Sequence, residues 1–315
     1  MFSLNCKVTT STCDSEGRLK LYSALQMMQD CSEMWIDSEP AVRDSYNRQG
    51  ISQLLASRQV EIIRVPRFKE QLTVTTSVFD VKPMFGFRNT FIYDADGKPC
   101  YKTWSMGAFV DKQTGKLKRV DESALTGCTI EQKLEMDYKD RRIILPKAEG
   151  ETFAPIKVLR ADIDYNRHMN NANYIRMAME LLPEDFELKG LRVEYRVAAK
   201  LGDVLIPTMY KTDSVIIVSL SVGDNVSAII EFSKMITKDN IETAYAFLHQ
   251  KQRIYVHSTL DWQKDDIEIA IGDYADEMNR ELLGIISGGR TDFLRDHRRF
   301  QEDITKAVDI LEKMI

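Results

Sequence analysis

The sequence predicts an α+β protein in which antiparallel strands wrap around single buried helices. Two observations predict this class: a strand, an apolar helix and four β-rich segments follow one another in residues 1–121, and the same order recurs in residues 152–245. A mostly apolar helix needs apolar surface on several sides, which a curled sheet supplies. We therefore expect two similar units in one chain.

The first unit is predicted from the periodicity of its apolar residues. Helical spacing predicts a core helix over residues 19–36, preceded by a short strand over residues 6–11. Alternating or β-rich segments separated by turn residues predict four strands, over residues 59–65, 72–79, 87–93 and 101–110.

The second unit repeats this order with a more polar loop before its helix. A strand is predicted over residues 153–158 and a mostly buried helix over residues 172–182. Asn170 and Asn171 are good N-cap residues, and Pro183 ends the helix. Four further strands are predicted over residues 191–197, 204–211, 215–222 and 228–236.

These patterns divide the chain into four segments. Residues 1–125 form the first repeat, residues 126–150 a linker, residues 151–247 the second repeat and residues 248–315 a tail. The linker is charged, and a solvated surface is favoured over a docking site for an acidic partner. Helical spacing in the tail predicts a helical hairpin of unknown role, for which packing or self-association as a homodimer is favoured.

Polar side chains with catalytic potential alternate in the loop before the second helix. Asp162, Asp164, Asn166 and His168 place acid, amide and imidazole groups close together. A functional histidine is favoured here over a structural one because of these neighbours, whereas Asp162 is interpreted as a turn former.

The start of the second helix adds an electrostatic feature to this loop. A buried helix presents unpaired backbone N–H groups and a positive dipole end to a developing oxyanion, which suits acyl transfer. Asn170 and Asn171 are expected mainly to cap the helix, with a secondary role as oxyanion donors.

Four stretches carry a resemblance to a known family. Residues 164–174 read Asp-x-Asn-x-His-x-Asn-Asn-x-x-Tyr, and residues 191–205, 84–97 and 104–111 extend the similarity. Together they resemble the acyl-[acyl carrier protein] thioesterases of bacteria and plants, over about residues 1–245. The motif loop alone is also similar to single-domain acyl-CoA thioesterases, but two repeats in one chain favour the carrier-protein branch.

The resemblance implies a fold and an activity. The fold is two tandem hotdog repeats, to which this chain adds its C-terminal helical hairpin. The activity is hydrolysis of fatty acyl-[acyl carrier protein], which releases free fatty acid in fatty acid biosynthesis, with acyl carrier protein as acyl donor and no cofactor or metal. An acyl-CoA thioesterase and a non-catalytic acyl-binding protein are the alternatives.

The resemblance also implies roles for individual residues. It assigns acid/base chemistry to His168, while Asp164 and Asn166 order the histidine, the water or the thioester carbonyl. The first repeat, which has no histidine in its corresponding loop, is expected to bind the acyl chain.

The chain departs from the family pattern at one place. Plant members carry Arg-Glu-Cys after Glu-Tyr-Arg, but here Val197, Ala198 and Ala199 follow, so the carboxylate and cysteine proposed for catalysis are absent. Glu194 would face the same side of a strand as Ala198 but roughly 13 Å away, and a structural role is expected. The nucleophile stays open between a water activated by His168 and the Asp164 carboxylate, and a cysteine mechanism is disfavoured.

Composition excludes several other classes. A net charge of −5 argues against nucleic-acid binding, which calls for a basic surface. The five cysteines form no CxxC pair and no metal-like cluster with the four histidines. No apolar stretch is long enough to cross a bilayer and the N-terminus has no signal-like pattern, so a cytoplasmic protein without membrane contact is expected.

Overall fold

The first half of the chain folds into one long helix, a short second helix and five strands. The computed structural model describes residues 1–121, 128–184, 186–212 and 215–234. The elements of the first half are β1 (Phe2–Lys7), α1 (Leu21–Met34), a short 3₁₀ helix (Trp35–Ser38), α2 (Pro40–Gln49), β2 (Ile51–Ile62), β3 (Gln71–Lys82), β4 (Phe85–Asp94) and β5 (Pro99–Asp111).

The second half has a single α-helix among its described residues. Its elements are β6 (Glu151–Thr152), β7 (Ile156–Lys157), a short 3₁₀ helix (Arg160–Asp162), α3 (Asn171–Met179), β8 (Leu188–Tyr195), β9 (Val204–Lys211), β10 (Val215–Val222) and β11 (Asn225–Lys234). Asn170 caps α3, as the sequence predicts, but the helix ends at Met179, three residues before the predicted end at Leu182.

The strands of both halves join in one sheet. Its order is β1-β3-β4-β5-β2-β8-β11-β10-β9-β6, and β7 pairs with β9. The halves meet where β2 runs antiparallel to β8, with Arg58 opposite Val193. Hydrogen bonding is therefore continuous across the seam between them.

Helices α1 and α3 share one apolar core. Leu25 and Met28 of α1 belong to the same buried cluster as Tyr174 and Ile175 of α3, and the two helices contact one another. Both helices are therefore buried in the core, as their apolar spacing predicts.

Several element boundaries differ from the sequence prediction. Residues 40–49, for which the sequence predicts no element, form α2; Pro40 begins the helix and Gly50, in the left-handed region at φ 60°, ends it. The first strand covers Phe2–Lys7 instead of residues 6–11. The single strand expected over residues 153–158 is two strands of two residues each, β6 and β7. The tail hairpin predicted over residues 248–315 lies outside the described residues.

The linker forms an ordered strap across the outer face of the sheet, which the sequence did not predict. One row of side chains crosses four adjacent strands: Asn89 of β4, Trp104 of β5, Gln59 of β2 and Arg192 of β8. Three of these side chains, those of Asn89, Gln59 and Arg192, form hydrogen bonds directly with residues 134–140. The Trp104 indole instead donates a hydrogen bond to the Gln59 amide oxygen at 2.7 Å. This stretch is therefore held by internal polar contacts.

Glu194 anchors the strap further along. Its buried carboxylate accepts a hydrogen bond from the Ile143 amide at 3.1 Å and one from Arg196 at 3.3 Å. Burial alone would raise the pKa of Glu194, but the Ile143 amide and the Arg196 guanidinium outweigh it and hold that pKa below the ordinary value.

Replacing this carboxylate should weaken the fold in a pH-dependent way. We expect Glu194→Gln to lower the free energy of unfolding by about 2 kcal/mol at neutral pH, since a buried charge-assisted hydrogen bond is lost. Because the folded-state pKa is depressed, this stabilisation is present above the unfolded-state pKa of about 4.3 and is lost as pH falls through the folded-state value. Urea unfolding at neutral and acid pH should show the difference narrowing in acid. The exposed Glu187→Gln is the control, and a pH-independent difference would contradict the assignment.

The described part of the chain forms one compact unit through Phe232, apart from residues 211–215. None of its helices is long and apolar enough to cross a membrane.

Candidate active site

The predicted catalytic residues lie on a tight loop closed by backbone hydrogen bonds. Ile163 and Met169 form an antiparallel bridge, and the Asp164 amide donates to the His168 carbonyl at 3.0 Å. Asp164 Oδ1 accepts a hydrogen bond from the Asn166 amide at 2.9 Å, which makes an Asx turn. Arg167 adopts the left-handed region at φ 63°. This turn holds Asp164, Asn166 and His168 within five consecutive residues.

The first half builds the same loop without the same chemistry. Cys13 and Leu19 form the bridge, the Asp14 amide donates to the Arg18 carbonyl at 2.8 Å, and Gly17 supplies the positive φ. Asp14 Oδ1 accepts from the Glu16 amide, as Asp164 does from Asn166. Arg18 stands where the second loop has His168, and its side chain is paired with Asp14 at 3.0 Å. Only the second loop combines a histidine with a carboxylate and an amide.

Asp162 holds the motif loop against α3. It is buried and accepts hydrogen bonds from the Leu159 amide at 2.8 Å and from the Arg176 guanidinium at 2.9 Å. The Asn173 side chain donates to its carbonyl at 3.1 Å. These contacts agree with the interpretation of Asp162 as a residue that shapes the turn.

The two asparagines at the start of α3 have different positions. Asn170 is the N-cap, and its side chain accepts a hydrogen bond from the Ala172 amide at 3.0 Å. Asn171 is the first helical residue, so its own amide has no partner within the helix. Asn171 borders the cleft described below, whereas Asn170 does not.

This difference predicts different effects of substitution. Asn170→Ala should lower the free energy of unfolding by about 1 kcal/mol because the Ala172 amide loses its acceptor. Asn171→Ala is the matched control and should change stability by less than about 0.5 kcal/mol. Chemical denaturation of both variants measures the difference, and equal losses would show that Asn170 is not the cap.

A cleft of about 730 Å³ joins the motif loop to the first half. On one side it is bordered by Asp164, Asn166, His168 and the first turn of α3. On the other it is bordered by α1, α2 and the strands β2, β4 and β5. The cleft therefore connects the predicted chemistry with the half of the chain expected to bind the acyl group.

Asp164, Asn166 and His168 share this cleft, but His168 forms no hydrogen bond with either of the other two. The imidazole is half-buried, and no other described residue forms a hydrogen bond with it. Asn166 is exposed, and Asp164 is half-buried with one oxygen engaged in the Asx turn. These groups are thus open to a ligand from the cleft.

A contact between the halves at the cleft was not predicted from the sequence. The Tyr165 hydroxyl donates to Glu33 of α1 at 3.0 Å, and both residues border the cleft. Tyr165 lies between two predicted site residues, but nothing in the sequence indicates that α1 supplies its acceptor.

The region of the missing carboxylate and cysteine is structurally important even without them. Ala198 borders the cleft, and Ala199 is buried with its amide donating to the Tyr174 hydroxyl at 2.8 Å. The Met169 amide donates to the Ala199 carbonyl at 3.0 Å, which ties the motif loop to this segment. The expectation that Glu194 faces the same side as Ala198 is wrong. β8 ends at Tyr195, and Glu194 lies against the strap.

Four of the five cysteines have the properties of unreactive thiols. Burial raises the pKa of Cys31 to about 11, and burial also raises the pKa values of Cys6, Cys100 and Cys128. Of the five, only Cys128 borders the cleft. No group of three or more described His, Cys, Asp or Glu side chains is arranged to hold a metal ion.

Solved structures share this architecture. An acyl-ACP thioesterase from Bacteroides thetaiotaomicron superposes with a TM-score of 0.66 at 18% identity, over 74% of this chain and 97% of that one. The 12:0-ACP thioesterase from Umbellularia californica gives a TM-score of 0.66 at 14% identity, over 74% and 96% of the two chains. The large antiparallel sheet with few helices is therefore a hotdog fold.

Sequence comparison places the chain in a family. Residues 1–127 match the acyl-ACP thioesterase N-terminal domain, and residues 146–264 match the acyl-ACP thioesterase C-terminal domain. This chain belongs to the acyl-ACP thioesterase family. Oleoyl-acyl carrier protein thioesterase 2, chloroplastic, of Arabidopsis thaliana is 24% identical over 164 residues, which are 48% of this chain and 45% of that protein. The chain thus spans less than half the length of this relative.

Proposed function

We propose that the protein hydrolyses the thioester of fatty acyl-[acyl carrier protein] and releases free fatty acid. The observation that carries this proposal is the position of the Asp164, Asn166 and His168 loop at one end of a cleft that continues into the first half. A motif loop with its polar groups open to a cleft is arranged to act on a bound acyl group.

The proposed reaction uses His168 as acid and base. The thioester carbonyl lies at the start of α3, where the Asn171 amide and the helix dipole stabilise the oxyanion. His168 takes a proton from water as the water oxygen attacks the carbonyl carbon. The tetrahedral intermediate then collapses, the C–S bond breaks, and His168 returns the proton to the departing sulfur. Asp164 and Asn166 orient the water and the imidazole.

The chain is proposed to consist of two tandem hotdog repeats with different tasks. The repeated loops and the repeated order of strand, helix and four strands support boundaries near residues 1–125 and 151–247. The second repeat supplies the reacting groups, and the first supplies the wall of the acyl site. Three further points stay predictions from the sequence: a C-terminal helical hairpin over residues 248–315, self-association as a homodimer and a cytoplasmic location.

A panel of thioesters tests the proposal. The same acyl group is presented on acyl carrier protein and on CoA, and thiol release is measured as kcat/KM. A higher value on the carrier protein supports the proposed donor, and a higher value on CoA would make the protein an acyl-CoA thioesterase. Absence of turnover with both, together with tight acyl binding, would favour a non-catalytic acyl-binding protein, for which Ala198 and Ala199 in place of reactive residues give some support.

A further inference from the structure

Two arginines face the cleft from the sheet in the first half. Arg88 of β4 and Arg58 of β2 both stand opposite Ser105 of β5, so the three residues form one row across adjacent strands. All three border the cleft, and both arginines are at least nine-tenths buried. Since neighbouring strands lie about 4.8 Å apart, the two arginine α-carbons are about 10 Å apart.

Arg88 has the contacts of a structural arginine. Its guanidinium lies 4.1 Å from the centre of the Trp35 ring and donates to the Thr76 hydroxyl at 3.2 Å. Burial lowers the pKa of Arg88 to about 10, so the side chain is still protonated at neutral pH. Its stacking and hydrogen bonds account for its burial.

Arg58 lacks comparable contacts. Its Nε is buried without a hydrogen-bond partner, and no described carboxylate forms an ion pair with it. Burial lowers the pKa of Arg58, and Tyr195 and Glu33 only partly oppose this effect. A buried charged donor without a partner is costly, so its position at the wall of a cleft indicates that a ligand supplies the acceptor.

Arg58 also lies near the proposed reaction centre. It stands opposite Val193 of β8, and Tyr195 follows two residues later on the same face of the sheet. The Tyr195 hydroxyl donates to the Asn171 carbonyl at the start of α3 with a distance of 3.0 Å. One side chain therefore separates Arg58 from the helix start at which the thioester carbonyl is placed.

A plain hydrocarbon chain is a poor occupant for this part of the cleft, since it would complete the desolvation of Arg58 and offer no acceptor in return. We propose that the cleft accepts acyl groups that carry a hydrogen-bond-accepting oxygen on the chain, as a hydroxyl, a keto group or a carboxylate, and that Arg58 donates to that oxygen. This inference rests on the proposed function and narrows its substrate class.

Glu33 is the competing explanation for Arg58, because it is the carboxylate that acts electrostatically on both arginines. Its side chain is exposed, however, and its Oε2 accepts a hydrogen bond from Tyr165. No ion pair joins it to either arginine. Glu33 thus leaves the donors of Arg58 available to a ligand.

Binding of non-hydrolysable analogues tests the inference independently of turnover. Acyl-pantetheine amides of one chain length are prepared with an unsubstituted chain, a 3-hydroxyl, a 3-keto group or a terminal carboxylate, and their Kd values are measured by calorimetry. At least one oxygenated analogue should bind about 10- to 100-fold more tightly than the unsubstituted one, as expected for a hydrogen bond to a charged donor. The analogue that gains most identifies the oxygen chemistry.

Variants assign that preference to Arg58. Arg58→Met, of similar length and without donors, should bring the ratio of Kd values close to one. Arg64→Met is the matched control, because Arg64 pairs with Glu70 and Asp94 away from the cleft, and it should keep the wild-type ratio. A ratio that persists in folded Arg58→Met would overturn the assignment.

If Arg58→Met does not fold, the Kd values of the analogues for the wild-type protein alone test the inference. If the unsubstituted analogue binds as tightly as every oxygenated one, or if no analogue binds, the inference is wrong. Hydrolysis of the unsubstituted acyl-carrier thioester is measured on the same preparation. Turnover of that substrate without any oxygen preference would leave the proposed function intact while removing the inference.

Discussion

His168→Ala should lower kcat by roughly 10²- to 10⁴-fold while the protein stays folded, because one group both removes and returns the proton in the proposed reaction. The imidazole borders the cleft and forms no hydrogen bond with other described residues, so its removal disturbs no internal contact of this kind. Steady-state thiol release with acyl carrier protein substrates measures kcat, and denaturation checks the fold.

The first half provides a matched control for this change. Arg18 occupies the place of His168 in the equivalent loop and does not border the cleft. Arg18→Ala removes its contact with Asp14 and should keep kcat close to the wild-type value. If His168→Ala turned over substrate at nearly the wild-type rate, the proposed site would be wrong.

The motif loop shows why part of the site was predictable. Alternating polar residues, two cap-forming asparagines and an apolar helix are local patterns, and local hydrogen bonds turn them into the observed loop. The strands over residues 204–211 and 215–222 have the predicted bounds. They were also predictable because the alternation of apolar and polar residues that defines a strand is a local pattern.

The remaining features depend on contacts between distant residues. Gln59 and Arg58 are adjacent in sequence, yet one side chain binds the strap on the outer face and the other borders the cleft, because successive strand residues point to opposite faces. The Tyr165 to Glu33 bond and the shared row of Arg58 and Arg88 likewise follow from strand order and helix packing. α2 was missed because its residues are largely polar and only its Pro40 and Gly50 ends indicate a helix.

Asp164→Asn should reduce thioester hydrolysis by ~10²-fold or more, whether Asp164 orients the water or attacks the thioester carbon itself. The amide keeps an oxygen that can accept the Asn166 hydrogen bond, so the loop is expected to persist while the negative charge is lost. Asp14→Asn makes the same change in the equivalent loop of the first half and should leave turnover close to wild type. Full activity in Asp164→Asn would reduce this carboxylate to a structural role.

A cysteine-free variant distinguishes this carboxylate chemistry from thiol chemistry. None of the five cysteines lies in the second half, and burial raises the pKa of Cys128, which borders the cleft, so its reactive thiolate form is disfavoured. Replacing all five by Ser or Ala should therefore retain most of the activity of the folded protein and make it resistant to iodoacetamide. Loss of activity in a folded cysteine-free variant would overturn a mechanism based on His168 and Asp164.

Retained activity in the cysteine-free variant, combined with the loss in Asp164→Asn, would leave water and the Asp164 carboxylate as the two candidate nucleophiles. Single-turnover hydrolysis in ¹⁸O-labelled water would then assign the attack to Asp164 if the label appears in the Asp164 carboxylate, since only a mixed anhydride cleaved by water at the aspartyl carbon can place it there.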